Sequence, residues 1–142
     1  MRIIRDKEEL EGTCYIEVLP GKYLETCWNE HSIFLDEEVF GYLEKAIYDI
    51  YPKYDHYAFT EIHRDTWMLI LEQLNELVIL LDEKVTMDEL KEHVYFLFGS
   101  SEDEFQQDFD HNVQKLRELI IEFETWIKEQ LKTQEYISVL GI

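Results

Sequence analysis

Residues 101–133, SEDEFQQDFDHNVQKLRELIIEFETWIKEQLKT, decide the fold class. Phe105, Phe109, Val113, Leu116, Ile120, Phe123, Ile127 and Leu131 recur at steps of 4, 4, 3, 4, 3, 4 and 4. That spacing lines up side chains on one face of a helix. Ser101 and Glu104 have the spacing of a capping box. The stretch therefore predicts one helix over 102–133, ~45 Å long at ~1.5 Å per residue. Leu119 and Trp126 fall off the main stripe. They either face a partner or second copy of the chain, or the helix is buried on two sides; the second reading is preferred.

Working back toward the N-terminus, three shorter helices are expected. Asp36 can cap one over 36–51, with Glu37 and Glu38 in its first turn and Pro52 ending it. Asp65 opens a second, 65–81, whose apolar positions run from Trp67 through Leu81 at three- and four-residue steps. Thr86 and Glu89 form a capping box for a third, 87–98, with Gly99 suited to its C′ position. Ahead of the helices, Thr13–Leu19 and Tyr23–Trp28 are rich in β-branched and aromatic residues and flank Pro20-Gly21, which predicts a β-hairpin over 13–28. The register that gathers one apolar face pairs Val18 with Leu24 and Ile16 with Thr26. It points Cys14 and Cys27 to opposite faces, so no disulfide is expected. Residues 54–62 are ambiguous and could add a strand, and Tyr136–Leu140 could close the sheet. The expectation is an α+β, mainly α fold. A small N-terminal antiparallel β region precedes three or four antiparallel helices, the last one long, in a single domain over 1–142.

Thirty-two acids face thirteen bases, a formal charge of −19. Phosphate contacts require Lys and Arg, so nucleic acid and anionic membrane are poor partners. A basic protein surface or a cation suits better. The hydrophobic fraction of 46% supplies a core despite the charge. The first residues turn charged at once and no apolar run reaches ~18 residues, so neither a signal peptide nor a membrane span is expected, and the chain is placed in the cytoplasm.

Reactive constellations are sparse. His56, Glu61, His63 and Asp65 lie within ten residues. However, His56 and His63 are an odd number apart and would face opposite sides of a strand. No HExxH, calcium loop, GxSxG, GxGxxG or GxxxxGK[ST] occurs. A pairing of either cysteine with a histidine is open, but nothing places them together. No metal, cofactor or enzymatic activity is expected; a metal-binding protein or enzyme using His56, Glu61 and His63 is one alternative.

Charge placement points to binding. Between Gly99 and Gln114 stand five acids, Glu102, Asp103, Glu104, Asp108 and Asp110, and no base. Acids favour a helix start, yet these exceed what one cap needs. Exposed carboxylates attract a basic partner and hold it through charge-assisted hydrogen bonds. Tyr54 and Tyr57, in the Tyr-rich segment after Pro52, are candidate aromatic anchors. In size, acidity, helix content and lack of a catalytic motif, the chain resembles the immunity proteins of bacterial toxin–immunity systems, including contact-dependent inhibition. The resemblance is of type, spread over the whole chain. It implies a cytosolic protein that binds one cognate, basic, nuclease-like toxin domain and blocks its active site or substrate access. A nucleic-acid mimic that occupies a DNA-binding enzyme is the other alternative, and a homo-oligomer is compatible with either.

Overall fold

The computed structural model describes residues 1–142. The fold is α+β: a four-stranded antiparallel sheet and five α-helices, with a short 3-10 turn at Lys7–Glu9. The strands are β1 (Tyr15–Pro20), β2 (Ile33–Asp36), β3 (Phe59–His63) and β4 (Tyr136–Leu140), in the order β2-β1-β4-β3. The helices are α1 (Glu37–Ile50), α2 (Arg64–Leu81), α3 (Met87–Lys91), α4 (Ser101–Gln107) and α5 (Phe109–Leu131).

The sheet departs from the expected hairpin. β1 pairs with β2, Val18 opposite Ile33 and Ile16 opposite Leu35, and on its other edge with β4, Val18 opposite Val139. Residues 23–28 form no strand. The reason is burial. Ile16 to Leu19 are all buried, so β1 is a two-faced central strand that needs apolar partners on both edges. Ile33, Phe34 and Leu35 supply three fully buried side chains, whereas residues 23–28 would bring Glu25 and Thr26. Pro20-Gly21 still turns the chain, with Gly21 at φ +87°. It launches a loop over the outer face of the sheet rather than a tight return. Cys14 and Cys27 are both free thiols. β3 makes the second half of 54–62 a strand and β4 makes the tail one, so the sheet draws on the N-terminal part, the middle and the C-terminal end of the chain.

Ile16, Val18, Ile33, Leu35, Ile62, Ile137 and Val139 form the inner face and join the helices in one core of 33 buried residues. Trp67, at the start of α2, is fully buried, and its indole N–H donates to Ile137 O at 3.0 Å, tying α2 to the sheet. Asp36 caps α1 as expected: its carboxylate accepts from Glu38 N–H at 3.0 Å. Leu119 and Trp126 of α5 are both buried, so this helix is covered on two sides.

Two helix boundaries differ from the sequence expectation. α3 ends at Lys91 instead of 98, because the chain peels away to bury Val94 and to bring Phe96 beside Tyr42 and Phe105. Gly99 is accordingly not a helix C′ residue. Leu97 packs so closely on Gly41 that a Cβ there would lie 2.7 Å from Leu97 Cγ. The long C-terminal helix is broken at Asp108, which leaves the helical region at φ −136°, ψ 58°. The break lets Phe105 turn inward onto Tyr42 and Phe96, with Phe109 at its edge. Asn112 spans it, donating from Nδ2 to Phe105 O at 3.0 Å. The Ser101–Glu104 capping box does not form: Ser100 is the N-cap, without a side-chain bond, and Ser101 Oγ accepts from Phe98 N–H at 3.3 Å.

Candidate functional site

The expected acidic run divides about the kink between α4 and α5. Asp103, Glu104, Asp108 and Asp110 are exposed, and none takes part in an ion pair. Glu102 differs: Lys91 Nζ lies 2.9 Å from its Oε1, so its charge is already matched. On one side of the kink, Asp110 shares a groove of about 320 Å3 with Asp82 and Glu83 from the end of α2. Leu81, Val85, Phe109 and Val113 are its apolar members, Lys84 also lines it, and Arg117 lies 3.7 Å from Asp82. Acids from two separate segments of the chain thus meet. On the other side, Glu104 lines a cleft with Glu38, Val39, Tyr42 and Phe105. Burial, followed by the charges of Glu38, Glu104 and Asp36, pushes the Tyr42 phenol up to about 12.

The chain matches no known family model, curated protein or solved structure.

Tyr57 is 71% exposed and available to a partner. Tyr54 is not: it is 6% exposed and belongs to the core, which corrects its assignment as an anchor. Burial first, and then the charge of Glu44, push its phenol up. The histidines also separate. His56 precedes β3 and reaches back to α1, where Nε2 meets Glu37 Oε1 at 2.8 Å and Nδ1 meets Glu44 Oε1. Burial works against the imidazolium, but its hydrogen bonds to Glu37 and Glu44 outweigh it and hold His56 above its usual range. Burial pushes the Glu44 carboxyl up, offset in part by His56. His63 instead caps α2, accepting from Asp65 N–H at 3.1 Å, and meets Glu135 at 3.2 Å. Glu61 accepts from Tyr23 N–H at 3.0 Å. His56, Glu61 and His63 each serve a different local structure, and no three His, Cys, Asp or Glu side chains converge as a metal set.

Sequence reasoning missed two residues. Glu44 was readable, since it falls one position past Leu43 and four past Phe40 on the apolar stripe of α1. Glu17 was the other: a lone acid inside the apolar run Ile16–Leu19, now 2% exposed.

Proposed function

We propose that the chain is a non-enzymatic acidic binding protein that neutralises a cognate basic, nuclease-like toxin domain in the cytoplasm. One observation carries this reading. The exposed acids Asp103, Glu104, Asp108 and Asp110, which form no ion pair, adjoin a groove of mixed polar and apolar lining, to which Asp82 and Glu83 bring further carboxylates and Lys84 and Arg117 bring two bases. Such a groove suits Lys and Arg, whose aliphatic stems lie on apolar surface while their charged heads meet carboxylates. The charge of −19 would steer a basic partner toward it from a distance. No helix is long and apolar enough to cross a membrane, which is compatible with a site of action in the cytoplasm.

The test is charge reversal of Asp103, Glu104 and Asp108 to Lys together. Proteins captured from the native host by the wild-type chain and by this variant are compared by mass spectrometry, and the captured protein's toxicity is assayed with each. A basic toxin domain bound and neutralised by the wild type, and lost by a variant with an unchanged circular dichroism spectrum, is the expected result. Equal binding by both would reduce the acidic stretch to a helix-stabilising feature. Each lost contact should weaken with salt as well, since the attraction is between solvent-accessible charges.

A further inference from the structure

The face of the sheet turned away from the helices holds a separate cavity of about 340 Å3, bounded by Tyr15, Glu17, Cys27, Trp28, Phe59 and Leu140. The volume lies in the range of small-ligand sites. Its walls are aromatic and open to the interior of the cavity. Trp28 is 36% and Phe59 46% exposed. The Tyr15 and Trp28 rings meet edge to face, 6.4 Å apart at 81°, so they form two walls of a corner.

Glu17 is the unusual member. It is 2% exposed, yet no Lys, Arg or His pairs with it. Asn29 donates to the carboxylate from its backbone N–H to Oε1 at 2.9 Å and from Nδ2 to Oε2 at 3.1 Å, and the Trp28 backbone N–H also favours the charged form, but burial outweighs these and pushes the Glu17 carboxyl up. Neutral donors leave the charge itself uncompensated, and buried charges are ordinarily paired. The loop that delivers Asn29 is also strained. Glu25 at φ 61° and Trp28 at φ 63° both occupy the left-handed region, which bulky residues rarely adopt. Strain of this kind persists only where the surroundings over-determine it, and it gathers at ligand clamps. Here it turns the Trp28 ring onto Phe34, 5.7 Å away and nearly parallel, as a wall of the cavity.

We propose that this cavity binds a compact organic cation, an alkylammonium or trimethylammonium group, against the aromatic faces and beside the Glu17 carboxylate. Aromatic rings attract such cations through the negative charge on their faces, and the attraction grows where water is excluded. The cation would also supply the charge that Glu17 lacks. A neutral molecule of the same shape fills the cavity but leaves the carboxylate uncompensated, and an anion is repelled.

Of the three tryptophans Trp28 alone borders the cavity, so a ligand-dependent change in tryptophan fluorescence reports on this site. The full chain is titrated with choline and, in parallel, with its neutral isostere 3,3-dimethyl-1-butanol. The expected result is saturable binding of choline and binding of the isostere at least ~10-fold weaker. Glu17→Gln should abolish that discrimination, and Trp28→Ala should abolish choline binding. No saturation by choline at tens of millimolar, or equal affinity for the two compounds, would overturn the proposal. The wild-type comparison decides the matter even if either variant fails to fold.

Discussion

Replacing His56 with Leu removes the only cation beside Glu44, which is 5% exposed on the buried face of α1. The His56 side chain is itself only 13% exposed, so the pair is shielded from solvent. Breaking such a pair by deleting one partner costs about 3–5 kcal/mol, because an unmatched charge stays buried. Domains of this size are stable by about 5–15 kcal/mol. The variant should therefore melt roughly 10–20 °C below the wild type. Replacing both residues, His56→Leu with Glu44→Leu, should restore stability to within about 1 kcal/mol, since apolar groups of similar volume substitute for a buried pair at little net loss.

The pH dependence has a definite sign. His56 is held above its usual range, so its contribution is complete below about pH 6.5 and is lost as pH rises through the folded-state value. Glu44 is also raised, so the folded state binds more protons than the unfolded one as pH rises past the ordinary carboxyl range, and stability again falls. Both groups make the wild type less stable toward alkaline pH. In His56→Leu, Glu44 can avoid its penalty by staying protonated, so the loss should be smallest near pH 4.5 and full at pH 7. Urea unfolding followed by circular dichroism at the two pH values measures this. A loss under about 1 kcal/mol at pH 7, or a double variant no more stable than the single, would refute the account of His56 and Glu44 as a buried charge pair.

Three further outcomes test the packing. Trp126→Ala should destabilise by about 3–5 kcal/mol, as for a buried aromatic, whereas an exposed anchor would change thermal stability little. Trp67→Phe should lose about 1–3 kcal/mol by leaving Ile137 O without its indole donor, a loss readable by denaturant titration. At Gly141, a Cβ would lie 2.2 Å from His56 O, so Gly141→Ala should force the end of β4 from the 56–58 segment. The expected cost is about 1–3 kcal/mol, with faster exchange of the amide at position 141, which in the wild type donates to Ala58 O at 3.0 Å.

The proposed binding surface was partly legible. The unpaired acids Asp103, Glu104, Asp108 and Asp110 stand in one sequence stretch free of bases, and their exposure follows from falling outside the apolar stripe. That Glu102 would be matched by Lys91, and that Asp110 would meet Asp82 and Glu83, depends on segments more than ten residues apart in the chain. Tyr54 shows the limit of composition as a guide. A tyrosine in a polar, Pro-containing segment reads as surface, but here the segment folds back on α1 and buries the ring beside Glu44.

Helices α1 and α2 were determined by the sequence alone, because their signals are local. Apolar residues every three or four positions, Asp36 at an N-cap and Pro52 beyond a C-terminus act within a few residues of chain, and α1 and α2 begin and end where those signals stand. The sheet was decided by tertiary structure. β1 is buried on both faces, which erases the alternation that reveals a strand's partner. The competition between residues 23–28 and the distant segments 33–36 and 136–140 was then settled by how much apolar surface each could bury. The same long-range packing broke the final helix at Asp108, because seating Phe105 among Tyr42 and Phe96 outweighed continuing a helical hydrogen-bond pattern that the sequence could have sustained.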